Sequence, residues 1–588
     1  MTDSNPQHDQ PSGRPSGRLD RRTFLAGGLR VGGAITATSL GVDALVGADN
    51  VRAKRRRPGP YRRTRQPNIL VIMVDQLRAP QWFGPGANGA DLPPHIAALA
   101  RSGVSFARHY TASNDCTPAR AAMLTGLYTH QTGCMITGAS TLDPGFPTWG
   151  TMLREHGYST WWYGKWHLTH ADRRWNKHSG PPGLARYGFD GGTYPSPNGA
   201  PDQGWRVDPH IADQFEQWYA QAGGGGPWCT TVSFVNPHDI AWWWRWTARS
   251  RHEASAPSRV SALPANFETP EQLIARGKPS VQSSLQLTSA ESFGAVPFTG
   301  PGFEAAWLPF LDLYVQLQLR VDHQIGRVMK ALASRPKEMA NTIVVFTSDH
   351  GEYGASHGLR GKGAGMYEEA IRVPLIVSDR TGTLGLVPNT VRHQLTSGVD
   401  LAPLFLTLAS GSDAWRSNPR YAHLAKRADI AGILRDPAAR GRRHALHATD
   451  EVLTEFALLP HDAQAPLHVR GIITPTAKYA TYSHWRADTL EPLARGEQTE
   501  LYDYTTRGGH HEIDNRAGRS PLEDRLRATL EQASRDELHE PLPITLLDAQ
   551  QRGLTRYHEL AQQARRGSDI RRVRAVERIV RRIEHQLP

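Results

Sequence analysis

The feature that most constrains this chain is a pair of short, almost uninterrupted apolar runs, each closed by polar residues that include an aspartate. Asn68–Val74 (NILVIMV) stops at Asp75, and Thr342–Thr347 (TIVVFT) stops at Ser348–Asp349–His350. A strand with one wet face alternates apolar and polar residues. A run with no polar side fits a strand buried on both faces of a mostly parallel sheet. Cys229–Val235 and Leu375–Val377 read the same way. Helical stretches lie between: Pro94–Arg101, Ala119–Thr125, roughly Ala306–Ala333, and Leu401–Ala409. Strands alternating with helices predict an α/β sandwich with a mostly parallel central sheet. In such sheets ligands bind beyond the carboxyl ends of the strands, which is where Asp75, Asp349 and His350 stand.

Charge narrows the partners. The 588 residues carry a formal net charge of +12, a balance that raises nucleic acid or a membrane surface as partners. Its placement argues otherwise. Residues 1–67 hold a net +8, residues 551–588 a net +6, and the body between them −2. A nucleic-acid role for the body therefore loses its main support. Three cysteines exclude a disulfide scaffold.

The ends read as follows. Arg21–Arg22–Thr23–Phe24–Leu25 is a twin-arginine pair with the Phe-Leu of that export signal. A weakly apolar, glycine-rich stretch follows and ends in Val46–Gly47–Ala48, whose small residues suit cleavage after Ala48. Residues 1–48 are thus expected to be a twin-arginine signal peptide. The translocase would be a partner, and the destination extracellular, periplasmic or at the cell envelope. Residues 49–67 form a basic, Pro-containing linker. No apolar run long enough to span a bilayer follows. Residues 68–420 are the expected catalytic domain. Within it, 250–305 is a polar stretch without clear period, read as an insertion over a face. Residues 421–550 are the expected smaller α+β subdomain, with an antiparallel unit over 468–516. In 551–588 an apolar stripe (Ile570, Val573, Val576, Val580, Ile583, Leu587) runs between arginines. Such a helix packs on the body, pairs with a second copy in a homo-oligomer, or lies on an anionic surface.

The stretch richest in chemistry is Cys116–Thr117–Pro118–Ala119–Arg120. Proline suits the first turn of a helix, where its missing N–H is not needed. Cys116 then sits at a helix N-terminus, where backbone N–H groups favour an anion, and Arg120 lies one turn further on. By itself C-x-P-x-R also describes a buried cysteine before a helix, the common fate of a free cysteine.

The full run Cys116–Gly126 (CTPARAAMLTG) resembles the signature of type I sulfatases of the alkaline phosphatase superfamily. The resemblance runs from Asn68 to about Ala517, with NILVIMVDQ, CTPARAAMLTG, GKWHL, NPHD, TSDHGE, HGLRGKGAGMYEEAIRVPLIV and ELYDY in family order. It implies an alkaline-phosphatase-like fold and hydrolysis of a small-molecule or glycan sulfate ester. It also implies a formylglycine made from Cys116 by a formylglycine-generating enzyme. One divalent cation is implied, with Asp75, Gln76, the modified Cys116, Asp349 and His350 as ligands. A cation activates a bound hydroxyl and polarises sulfate oxygens, and hard cations take oxygen ligands.

By the same resemblance Arg120 and Lys165 hold charge on the transferring group. His167 takes the proton that releases sulfate. His238 and Lys362 contact the sulfate and protonate the leaving oxygen, work that suits imidazole near neutral pH. Many sulfatases have two adjacent aspartates where this chain has Asp75–Gln76, and Asp-Asn where it has Asp349–His350. Calcium is the family default, and the nitrogen donor makes manganese or another transition ion more plausible. The Asp-Gln and Asp-His forms look like the choline-sulfatase and phosphonate-monoester-hydrolase branch. A phosphonate monoester or phosphodiester hydrolase is therefore the alternative within the fold, and a catalytically silent ligand-binding protein the alternative outside enzymes. Two aromatic clusters, Trp161–Trp162–Tyr163 with Trp166 and Trp242–Trp246, flank the motifs. They read either as a wall for an aromatic, sugar or quaternary-ammonium group or as core.

Overall fold

The computed structural model describes residues 66–79, 93–169, 182–194, 196–222, 226–243, 260–363, 365–450, 465–486 and 489–562. The expected signal peptide, the linker up to residue 65, the tryptophans beyond Trp243 and the stripe over 570–587 lie outside them.

The two apolar runs form neighbouring central strands, β1 (Asn68–Asp75) and β7 (Thr342–Ser348), paired in parallel. They belong to an eight-stranded sheet. Its other strands are β2 (Val104–Phe106), β4 (Ser159–Gly164), β5 (Gly191–Gly192), β6 (Trp228–Pro237), β8 (Leu375–Asp379) and β9 (Thr390–Arg392). The order is β5-β4-β6-β1-β7-β8-β2-β9. Only β8 runs against the rest, antiparallel to both β7 and β2. A two-stranded pair, β3 (His109–Tyr110) and β10 (Thr396–Ser397), stands apart.

Strand β1 shows why its sequence has no polar side. Ile69, Val71 and Met73 face one core, with the helices Cys116–Thr125, Trp149–Glu155 and Leu401–Ser410. Leu70, Ile72 and Val74 face another, with Pro94–Ser102, Gln203–Ala222 and Phe303–Ala333. Side chains alternate across a strand, so helices on both faces require apolar residues at every position.

The first aromatic cluster obeys the same alternation, and this decides between its two readings in favour of core. Trp162 is fully buried, stacked on Trp149 at 5.7 Å between ring centroids and edge-on to Trp166 at 5.0 Å. Tyr163 and half-buried Trp161 pack on the opposite face against Trp218.

A second, antiparallel sheet has the order β11-β12-β13-β14, formed by Ala445–Thr449, His468–Ile473, Ala477–Trp485 and Pro492–Asp503. One face is covered by Leu526 and Leu530 of the helix Glu523–Ala533. The other backs Tyr353, Met366 and Tyr367, on the segment that follows β7. The stretch expected as an insertion over a face carries two helices, Pro270–Ala275 and Ser280–Phe293. Its many polar residues hid that, because Lys278, Gln282 and Gln286 are themselves buried. Residues 547–562 form a helix that packs Leu554, Tyr557 and Ala561 beside Trp485. Among the described residues no helix is long and apolar enough to cross a membrane.

Trp162→Ala is expected to cost about 3–5 kcal/mol of stability, the usual range for deleting a buried aromatic. Denaturant unfolding measures it; a near-neutral result would contradict the core assignment.

Candidate active site

Four adjacent parallel strands, β4, β6, β1 and β7, end at one place. Lys165 follows β4, His238 follows β6, Asp75 and Gln76 close β1, and Asp349 and His350 follow β7. The helix Cys116–Thr125 points its N-terminus at the same spot, with Asp115 as N-cap accepting from the Cys116 N–H at 2.6 Å. The Cys116 thiol is fully buried. Its Sγ lies 3.2 Å from His350 Nε2, 3.6 Å from Asp75 Oδ1, 3.6 Å from Lys165 Nζ and 3.5 Å from Lys362 Nζ.

Arg120 holds this arrangement together. Its Nε donates to Asp349 Oδ2 at 2.7 Å and its Nη2 to Asp75 Oδ2 at 3.0 Å. Its Nη1 donates to the Lys165 carbonyl at 2.5 Å and to Ser233 Oγ at 3.1 Å. One planar guanidinium thus ties β1, β6, β7 and the end of β4 to the helix. Lys165 Nζ adds an ion pair to Asp75 Oδ2 at 2.7 Å. Lys362 Nζ donates to Gln76 Oε1 at 2.7 Å and lies 3.8 Å from Asp115.

The electrostatics follow from burial and pairing. Burial alone would raise the Asp75 carboxyl; the Lys165 and Arg120 charges outweigh it and hold the group well below the ordinary carboxylate range. Burial, with Asp75 alongside, pushes the Cys116 thiol well up. Burial and the Lys165 charge push His167 and His238 well down, so both are neutral imidazoles near pH 7. Burial would lower Lys362; the Asp115 and Asp75 charges oppose it and keep the group an ammonium.

The donor set fits a divalent cation. Ligand atoms of Asp75, Cys116, Asp349 and His350 all lie within 4.8 Å of one another. The His350 ring makes its Nδ1 contact with the Gly351 carbonyl at 3.0 Å. That contact assigns the proton to Nδ1 and leaves the Nε2 lone pair facing the cluster. Two carboxylates, an imidazole nitrogen and the position of the Cys116 side-chain atom then converge.

The two remaining histidines are placed less directly. His238 Cε1 and Lys165 Nζ both crowd Gly199, where an added Cβ would come within 2.7 and 2.8 Å of them. Gly199 has φ +89°, so glycine serves both the backbone and the close approach there. His167 is half-buried, with its carbonyl accepting from Thr117 Oγ1 at 2.8 Å. Among the described residues, neither His167 Nδ1 nor His238 Nδ1 has a hydrogen-bond partner. Gln76 and His167 have positive φ, +70° and +57°, and so do Ala355 and His357 in the segment leading to Lys362. Strained backbone of this kind collects at functional sites.

Several contributors escaped the sequence reading. Ser233 lay inside an apolar run with no motif to mark it. Glu352 stood within TSDHGE but received no role; it accepts from the Gln76 amide and from the Gly354 and Gly361 N–H groups at 3.0 and 2.7 Å. The segment before Lys362 is clamped by residues 71 to 91 positions earlier in the chain, a separation no local pattern signals. His357 Nδ1 lies 2.6 Å from Glu268 Oε2, to which Lys278 donates at 2.6 Å. The His357 N–H and carbonyl bond to the Asn266 carbonyl and the Gln286 amide, each at 2.8 Å. Glu369 accepts from Asn266 at 2.9 Å and pairs with Arg78 at 3.6 Å.

A mostly parallel sheet clad by helices, with carboxylates and a cysteine at a helix N-terminus gathered at its carboxyl edge, is the arrangement the sulfatase resemblance implies. The sulfatase family profile matches residues 67–412, more than half of the chain. The chain belongs to the sulfatase family and is a sulfuric ester hydrolase. It is 29% identical over 366 residues to the "uncharacterized sulfatase YidJ" of Escherichia coli (strain K12), covering 59% of this chain and 68% of that one. It is 26% identical over 391 residues to the choline-sulfatase of Rhizobium meliloti (strain 1021), with the same two coverages. Among solved structures, a phosphonate monoester hydrolase from Silicibacter pomeroyi shares the fold at a TM-score of 0.60 and 22% identity, over 82% of this chain and 97% of that one.

Two outcomes are expected. Arg120→Ala leaves two buried carboxylates without their shared counter-charge and costs about 3–5 kcal/mol. Thermal unfolding should show a smaller loss in calcium than in chelator; equal losses would contradict a cation beside Asp75 and Asp349. The second concerns acid. Burial alone would raise Glu268; the His357 hydrogen bond and Lys278 outweigh it and hold it at about 2, below an unfolded value of about 4.5. Burial likewise opposes Arg78 and His357 at Glu369, also held at about 2. The unfolded chain therefore binds more protons in that window, so stability is full above about 4.5 and is lost as pH falls through about 2. Denaturant midpoints measured across this range should fall with pH. Glu268→Gln should be less stable at neutral pH and show a shallower acid slope.

Proposed function

We propose that this chain hydrolyses a sulfate ester through a formylglycine formed from Cys116. The cation would be held by Asp75, Gln76, Asp349, His350 and the side chain at position 116. The observation that carries this reading is the state of Cys116. A thiol driven up by burial is a weak nucleophile, yet two ammonium groups and an imidazole nitrogen stand 3.2–3.6 Å from its sulfur. Such surroundings suit an anionic substrate at that position. When bound, a divalent cation lowers the pKa of a hydroxyl and polarises sulfate oxygens.

The chain's own groups divide the remaining work. Arg120 fixes both carboxylates and the Lys165 backbone. Lys165 and Lys362 offset charge on the transferring sulfuryl group. Lys362, held as an ammonium, is the better donor to the departing alcohol; His238, held neutral, contacts sulfate oxygens through its free ring nitrogen. His167, also neutral, is the base that takes up a proton at residue 116.

The alcohol portion of the substrate is read from a cleft of about 100 Å³ beside Lys362 and Asp115. Ile240, Trp243, Phe293 and Leu359 make its wall apolar. Among the described residues the aromatic-wall reading survives here, through Trp243. An aryl or similarly flat, apolar alcohol fits it better than a polyhydroxylated sugar. The second reading is a phosphonate monoester hydrolase, favoured by the neutral Gln76 and His350 and by the shared fold. Export by the twin-arginine route, after folding and modification by a formylglycine-generating enzyme, completes the proposal.

Parallel turnover of 4-nitrophenyl sulfate and 4-nitrophenyl phenylphosphonate tests it. A higher kcat/KM on the sulfate is expected; rapid phosphonate turnover without sulfate release would favour the second reading. Trp243→Ala should lower kcat/KM for the aryl sulfate by about 10- to 100-fold, the range for losing a large apolar contact in a specificity pocket.

A further inference from the structure

We infer that Glu352 is a positioning residue whose carboxylate decides which end of the Gln76 amide faces the reaction centre. A glutamine's oxygen and NH₂ group are alike in shape and opposite in chemistry. Only the oxygen can receive the Lys362 ammonium or ligate a cation.

The Gln76 backbone is already fixed. Its N–H donates to Asp349 Oδ1 at 3.2 Å, and its carbonyl accepts from Tyr314 Oη at 2.8 Å. The freedom left to the side chain is a half-turn of the amide. Glu352 removes it. One carboxylate oxygen accepts from two backbone N–H groups, Gly354 and Gly361, which cannot turn away. The other accepts from Gln76 Nε2. With the carboxylate accepting at both oxygens, Gln76 must offer it NH₂ and turn Oε1 to the far side. There Lys362 Nζ, 3.5 Å from Cys116 Sγ, donates to it at 2.7 Å. The same carboxylate grips Gly361, the residue before Lys362, so it sets both partners of that contact. Glu352 is fully buried.

The argument makes an unusual demand: the two residues are exchangeable as a pair and not singly. In Glu352→Gln the new NH₂ opposes the Gln76 NH₂, and relief comes by turning Gln76 so that its NH₂ faces Lys362 and the cation. In Gln76→Glu two carboxylates oppose each other. In the double variant Glu352→Gln/Gln76→Glu every hydrogen bond is remade. The position-352 oxygen accepts from Gly354 and Gly361, its NH₂ donates to residue 76, and residue 76 presents an oxygen to Lys362. Total charge is unchanged.

This inference rests on the proposed cation site and on the contacts of Gln76 with Glu352 and Lys362. Chelator-stripped wild type and the three variants are titrated calorimetrically with calcium chloride and with manganese chloride. Thermal unfolding in chelator is followed in parallel. Glu352→Gln should bind the ion taken by wild type about 10- to 100-fold more weakly, the usual effect of losing a residue that orients a metal ligand. The double variant should recover most of that loss. Wild-type affinity in Glu352→Gln, or a double variant no better than the worse single or unable to fold, overturns the role of Glu352. Should Glu352→Gln itself not fold, the double variant decides alone: ion binding supports the inference and its absence overturns it. Wild type that binds neither ion counts against the cation site itself, a different failure.

Discussion

The structure depends on one buried guanidinium. Arg120 joins the carboxylates that close β1 and β7, the hydroxyl of Ser233 on β6 and the carbonyl of Lys165 beyond β4. Each of these groups is buried, and each would be expensive to leave unpaired. A lysine could not replace it, because a point charge lacks the fork that reaches two carboxylates and two oxygens in one plane. The helix that supplies Arg120 also supplies Cys116 one turn earlier. The contact that neutralises the strand ends therefore also fixes Cys116 against them.

From that contact the rest follows in layers. The strand ends converge because four parallel neighbours stop at the same level. They are parallel and central because both faces are covered by helices, which the apolar runs require. Outside the inner cluster, a second buried network through Glu268, Lys278, His357 and Glu369 holds the segment that carries Lys362. The antiparallel sheet backs the same segment through Tyr353, Met366 and Tyr367. Lys362 is thus an ammonium on a clamped loop, with its position set by packing on two sides. The body of the chain is nearly neutral, so anion handling comes from a few aimed cations rather than from a basic surface.

Much of this was legible in the sequence. The strands β1, β6 and β7 were visible because burial on both faces leaves an unmistakable composition, and Asp75, Asp349 and His350 were visible because they end those runs. Cys116 and Arg120 were visible through their spacing on a helix. What stayed hidden depended on neighbours distant in the chain. Glu352 and Ser233 gain meaning only from the side chains that meet them. The helices within 260–293 were hidden because Lys278, Gln282 and Gln286 look solvated until the ion network that buries them is seen. Trp161, Trp162 and Trp166 misled for a geometric reason: adjacency in a strand sends side chains to opposite faces, so a run of aromatics divides between two cores. Trp243, in a turn after β6, is not bound by that rule and lines the cleft.

The central claim is that position 116 does its chemistry as an aldehyde-derived oxygen nucleophile and not as a thiol. The mass of the peptide spanning Cys116, from protein made in its native host, tests this most directly. The account predicts a peptide lighter than the encoded one by the exchange of SH₂ for O, restricted to Cys116 and absent at Cys134 and Cys229. A peptide carrying unmodified cysteine, in protein that turns over sulfate esters, would contradict it.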